Sequence, residues 1–261
     1  MGCCIGIGFM KGVAIVDFDN WFKKPLAEYS ETSVEFDFRE IVDQLLLIDP
    51  SVEDIEIRLY NGWYKDNILT NKASELQLLL SKITLFPYLL DAESGKIIRG
   101  KIRIVSSLND IPAYTWFNTL KEKYGIPSLR IKNESLGEIC SQNTHACPPQ
   151  ILKRFTKKKG KLCGVEDCNS AQREIFIGLE QKMVDTIIAC DIISFCEEEN
   201  CSAIMVVSED IDHFPALAQG KLRADHVGQN KSINVLIRNP EIQEYYNNIL
   251  NSFGLNTTLV T

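Results

Sequence analysis

Histidine is scarce, with three in 261 residues, and no Ser, His and Asp arrangement suggests a side-chain nucleophile. Long apolar runs are missing as well. The amino-terminal MGCCIGIGF is too short to span a bilayer and lacks the basic start of a secretory signal. Gly2 resembles a myristoylation start, but position 6 is Gly where Ser or Thr is usual. From Met10, MKGVAIVDFDN begins as a first strand would, and a start there is the expectation. Positive charge is in deficit: 28 Lys and Arg against 35 Asp and Glu leave a net −7, which argues against coating nucleic acid through bulk charge. No internal repeat is present, and a chain 45% hydrophobic and 24% charged is neither disordered, collagenous nor coiled coil.

A chain of this length buries roughly 70% of its unfolded surface, so neither disulfide nor metal is needed merely to fold. Its nine cysteines, without a secretory signal, fit a reducing and therefore cytoplasmic setting in which thiols stay free or bind metal. Strand and helix patterns alternate, the signature of a parallel sheet covered on both faces. Strands are expected at Val13 to Val16, Ile55 to Tyr60, Lys101 to Val105, Leu129 to Lys132, Ala203 to Val207 and, last, Ile233 to Ile237. Helical spacing runs through Phe38, Ile41, Val42, Leu45 and Leu46 up to Pro50, then over Ser74 to Ile83, Glu180 to Glu198, Phe214 to Leu222 and Glu241 to Phe253. Residues 108 to 124 read as partly helical. From Glu138 to Ser170 apolar periodicity gives way to Cys, Lys, Gly and Pro, which reads as an insertion.

Ligands of such sheets bind at the carboxyl ends of the strands. Two strand exits here carry acids: VAIVDFDN brings Asp17, Asp19 and Asn20, and AIMVVSEDIDHF brings Ser208, Glu209, Asp210 and Asp212. Gathering carboxylates raises Coulomb energy, which a hard cation relieves; capping of the following helices is the alternative for each exit taken alone. On the helix from Glu180, Asp185 stands at the edge of the apolar stripe and Asp191 inside it. Asp191 is therefore expected to accept hydrogen bonds from backbone or hydroxyl groups rather than to ligate metal.

The succession VAIVDFDNW, QKMVDTIIACDI and AIMVVSEDIDHFPAL, over residues 11 to 21 and 180 to 218, resembles the NYN domain of the PIN-like nuclease superfamily. The resemblance implies a Rossmann-like (PIN-like) parallel sheet flanked by helices over residues 10–261, an acidic cluster holding Mg²⁺ or Mn²⁺, and metal-dependent cleavage of RNA. By position it makes Asp17, Asp185, Asp210 and Asp212 the metal-binding catalytic acids, with Asn20, Ser208 and Lys182 in support. Glu209 stands where the family usually has Gly, and Gln181 where an acid is common. Two alternatives remain: a haloacid-dehalogenase-like phosphatase with Asp17 as nucleophile and Asp19 as acid, and an RNA- or protein-binding module whose site Glu209 has impaired.

Within residues 138–170, Cys140, Cys147, Cys163 and Cys168, with His145 as an alternate, offer candidate ligands for a structural Zn²⁺. Between the cysteine pairs, Lys153, Arg154, Lys157, Lys158, Lys159 and Lys161 form an acid-free run that either guides RNA or is simply solvated. Trp21, Phe22, Trp63 and Tyr64 follow strand exits and offer base stacking or rim packing. The expected partner is RNA, with no membrane association.

Overall fold

A computed structural model describes residues 9–90, 95–125, 138, 142, 147–156, 162, 167–168 and 170–260. The chain divides into two compact units, one formed by Met1–Thr119 with Gln181–Thr261, the other by Leu120–Glu180.

The first unit is an α/β structure around a mostly parallel sheet, compatible with a Rossmann-like fold. Its strands are β1 (Lys11–Asp17), β2 (Asp54–Tyr60), β5 (Tyr88–Leu89), β6 (Ile97–Ile104), β9 (Cys201–Val207), β10 (Ser232–Ile237) and β11 (Asn256–Leu259). A small antiparallel hairpin of β3 (Tyr64–Lys65) and β4 (Ile68–Leu69) stands apart from that sheet. The helices are α1 (Phe18–Trp21), α2 (Glu31–Ile48), α3 (Asn71–Leu80), α6 (Val184–Glu197), α7 (Phe214–His226) and α8 (Pro240–Leu250).

The sheet runs β11-β10-β9-β1-β2-β6-β5, and every pair is parallel except β5 with β6. Taken in chain order, the parallel strands lie 3-2-1-4-5-6, so the connection reverses direction between β1 and β9. A crevice opens at the carboxyl ends of strands at such a reversal. Asp17 ends one of those two strands and Ser208 follows the other.

Period-two alternation sends each strand's side chains into two cores. Ala14 and Val16, with Ala203, Met205 and Val207, pack beneath Val34, Phe38, Ile41, Val42 and Leu45 of α2. Val13 and Ile15, with Ile204 and Val206, meet Val184, Ile187, Ile188, Ile192 and Phe195 of α6 on the opposite face. Both faces are covered, which explains why β1 and β9 read as near-continuous apolar runs. Where α6 crosses α7 the approach is close: a Cβ on Gly220 would come within 2.6 Å of Cys196 Sγ.

Several expected boundaries move. The helix expected from Glu180 begins only at Val184, and Ile177–Gln181 is a strand, β8, paired with β7 (Leu120–Tyr124). Residues 108–119 contain no helix; Pro112 and the polar SLND run give backbone turns instead. A further parallel strand, β11, follows the terminal helix. Its sequence NTTL is too polar for an apolar-run criterion.

The second unit holds β7, most of β8, α4 (Pro148–Thr156) and α5 (Gln172–Ile175). The strand expected at Leu129 to Lys132 lies outside the described residues.

Candidate functional site

β1 delivers Asp17 at its last residue, and the chain turns at once into α1. From the neighbouring strand exit, Ser208 is fully buried, and its hydroxyl donates to Asp17 Oδ2 at 3.3 Å while accepting from the Asp210 amide at 3.1 Å. Asp210 then caps the 3₁₀ turn Ile211–His213, its Oδ1 accepting from the Asp212 amide at 2.9 Å. Ser208 thus links the two acid-bearing exits across the reversal point. Asp185 lies in the first turn of α6. Partial burial pushes its carboxyl above the ordinary range, His213 opposes the shift, and the charges of Asp17, Asp210 and Asp212 add to it. Four acids from three segments therefore share one electrostatic neighbourhood.

His213 forms the inner wall of that neighbourhood. It is 1% exposed, its Nε2 lies 3.8 Å from Asp17 Oδ2, and neither ring nitrogen has a hydrogen-bond partner among the described residues. In the sequence it directly follows the acid pair, in SEDIDHF, a place that fits a substrate contact as well as a packing or surface histidine.

Met183 precedes α6 with φ +66°, in the left-handed region where a residue bearing a side chain is uncommon, and without a side-chain cap. The Lys182 amide donates to Thr119 O at 2.8 Å, fixing the entry to this turn.

Glu209, the departure from the family pattern, does not face the acids. Its Oε1 accepts from the amides of Arg238 at 3.1 Å and Asn239 at 2.9 Å, and its Oε2 accepts from Lys23 Nζ at 2.6 Å. Its amide donates to Asn20 Oδ1 at 2.8 Å, and its carbonyl accepts from the Tyr246 hydroxyl. Burial alone would raise this carboxyl, but Lys23 and the two amides outweigh it and hold it below its ordinary value. Its φ is not positive, so the turn does not require glycine. Asn20, expected to orient ligands, water or phosphate, has its carbonyl oxygen committed to this brace.

Asp19 is committed elsewhere, accepting from Asn61 Nδ2 at 2.6 Å, Gln181 Nε2 at 2.7 Å and Lys72. Asp191 is 1% exposed and accepts from Arg58 Nη2 at 2.7 Å, the Tyr60 hydroxyl at 2.6 Å and the Asn109 amide at 2.7 Å. It is a structural group, as its position in the apolar stripe requires. Arg58 in turn donates to Glu56 Oε1 at 2.8 Å. Glu56, Arg58 and Tyr60 carry no motif that singles them out in the sequence. Their one signal was a set of buried charges on β2 opposite a helix that carries a buried acid.

The stacking expectation fails for three aromatics: Trp21 and Phe22 are 2% exposed and Trp63 is fully buried, its Nε1 donating to Leu59 O. They form the core beneath β1, where Phe18 and Phe22 stack at 4.7 Å. Tyr64 is half-buried, edge-on to Phe117. Burial pushes the Cys196 and Cys201 thiols up to about 12, which makes them packing groups rather than reactive ones.

Of the candidate zinc ligands, Cys147 is buried and Cys168 half-buried, while Cys140, Cys163 and His145 lie outside the described residues. Lys153 and Arg154 belong to α4; Lys157, Lys158, Lys159 and Lys161 lie outside the described residues. Among the described residues no three of His, Cys, Asp and Glu form a ready-made metal cage, and no helix is long and apolar enough to cross a membrane. The donors at the strand exits are nonetheless mainly carboxylate oxygens, the chemistry that suits a hard dication keeping most of its own water. A groove of about 770 Å³ lined by Glu197, Gln219, Leu222, Arg223 and His226 includes none of these acids. Comparison of the chain with protein-family models, with curated proteins and with solved structures finds no match.

Proposed function

We propose that this protein is a metal-dependent ribonuclease of the NYN type, an endonuclease that hydrolyses RNA phosphodiester bonds with Mg²⁺ or Mn²⁺ at Asp17, Asp185, Asp210 and Asp212. One observation carries the reading: burial and the charges of Asp17, Asp210 and Asp212, which stand on two other segments, raise the Asp185 carboxyl beside the carboxyl ends of the two strands where the sheet order reverses.

Phosphodiester hydrolysis needs an activated water, in-line geometry and neutralisation of charge on the phosphate and the leaving oxygen. A bound dication supplies that neutralisation and makes water more acidic. Asp17, which accepts a hydrogen bond from the Ser208 hydroxyl, and Asp185, Asp210 and Asp212 would hold the ion directly or through water. The bond from the Asp212 amide to Asp210 Oδ1 orients the Asp210 carboxylate. Lys153, Arg154, Lys157, Lys158, Lys159 and Lys161 supply the positive charge for RNA that the acidic remainder lacks.

Two contacts weigh against the competing readings. Asp19, which a dehalogenase-like phosphatase needs as an acid beside its nucleophile, is held by Asn61, Lys72 and Gln181. Glu209, the one ground for an impaired site, is turned toward Arg238 and Asn239. The test is cleavage of a defined RNA panel with Mg²⁺ or Mn²⁺, wild type beside Asp17→Asn and Asp210→Asn. Cleavage that survives both substitutions, or activity on p-nitrophenyl phosphate without activity on RNA, ends the assignment.

A further inference from the structure

The carboxylates account for the charge of the strand-exit site but not for the imidazole buried behind them. A buried polar group without a partner is costly, and among the described residues neither His213 ring nitrogen has one. The 3₁₀ turn Ile211–His213 holds the ring on the segment that carries Asp212 and directly follows Asp210. Its Nε2 faces Asp17 Oδ2 at 3.8 Å. That is too long for a hydrogen bond, yet one cation fits between the two atoms at about 2.1 Å from each, with an angle of roughly 130° that a small inward movement of either side chain brings to a regular coordination angle. Asp185 senses the same ring electrostatically.

Nitrogen changes which ion such a site prefers. Mg²⁺ takes oxygen ligands and water, whereas imidazole suits first-row transition metals, with affinity rising from Mn²⁺ to Co²⁺. We propose that His213 Nε2 and Asp17 are both direct ligands of the divalent ion, and that this nitrogen makes the site select Mn²⁺ and later first-row dications over Mg²⁺. Asp185, Asp210 and Asp212 then act through bound water. The inference rests on the metal-dependent reading above for the presence of an ion, not for its identity.

The experiment uses the full chain. Binding of Mn²⁺, Co²⁺ and Mg²⁺ is followed by calorimetry, and the Mn²⁺ complex by pulsed electron paramagnetic resonance for ¹⁴N coupling. Wild type is expected to show that coupling and to bind Mn²⁺ at least tenfold more tightly than Mg²⁺. His213→Ala should lose the coupling and most of the preference. His213→Gln, which keeps a polar side chain of similar length, should do the same if the alanine variant does not fold, and the wild-type spectrum needs no variant. Bound Mn²⁺ without nitrogen coupling, coupling that persists in a folded His213 variant, or an unchanged ion preference overturns the role of His213 and leaves the nuclease reading standing. Absence of any divalent binding overturns both.

Discussion

Two polar clusters meet the same helix, α6, six residues apart, and they are built on opposite plans. Around Asp191 every charge is answered: Arg58, Tyr60 and Asn109 donate to it, and Glu56 takes the other side of Arg58 while Lys11 lies 3.4 Å from that glutamate. Around Asp185 the balance is left open, with three more carboxylates and an imidazole that has no hydrogen-bond partner among the described residues. Burial is deeper in the first cluster, yet the second is the candidate site. Residual charge, more than buried charge, separates a place waiting for a ligand from a place that has finished folding.

That contrast is open to attack, first where the effect is largest. Asp191→Ala leaves the Arg58 guanidinium buried and unanswered, and denaturant unfolding should register a loss of about 3–5 kcal/mol. A negligible loss would erase the distinction. Asp185→Asn should lower metal-dependent RNA cleavage at least about 100-fold, near 2.7 kcal/mol of barrier, while leaving the metal-free melting temperature unchanged or slightly raised. Glu209→Gly, which brings in the family residue, should cost about 1–3 kcal/mol through the loss of a charge-assisted brace and yield no faster cleavage. A rate gain there would revive the impaired-site reading.

The smallest effect is in the pH dependence of stability, and its sign differs between the clusters. The Asp185 carboxyl is raised by burial and by its acidic neighbours, so its contribution to metal-free stability is fully present below the unfolded value and is lost as pH rises through the folded one. Burial would raise Glu56 also, but Arg58, Lys11 and Lys101 hold it below its ordinary value. Its contribution is present above the unfolded value and is lost as pH falls through the folded one. Thermal melts across the acid range should therefore show Asp185→Asn removing a decline toward neutral pH, and Glu56→Gln removing a decline toward acid.

How much of this was legible follows from which interactions are local. The strands Val13 to Val16 and Ala203 to Val207 announced themselves because burial on both faces leaves no polar positions to interrupt them. The acids at their exits were visible for the same reason: each follows an apolar run. The β2 segment DIEIRLY alternates as a half-exposed strand does, and only contact with Asp191, 133 residues from Arg58, makes its charged face an interior one. The NTTL strand was hidden because its pairing with β10, not its composition, makes it a strand. The aromatics after the strand exits gave no sign of direction, and the core beneath β1 took Trp21, Phe22 and Trp63. Glu209 looked like an intrusion because its partners, Arg238 and Asn239, arrive from the next strand exit.

The left-handed backbone at Met183 has a bearing on how this protein can change. A residue with a side chain held there costs about 1–2 kcal/mol, relief that glycine would supply at once, though with a looser chain. The helix carrying Asp185 therefore starts from tension held by its surroundings rather than from a relaxed joint. Variation at position 183 would exchange thermal robustness against the placement of an acid two residues away, so selection for one property acts on the other.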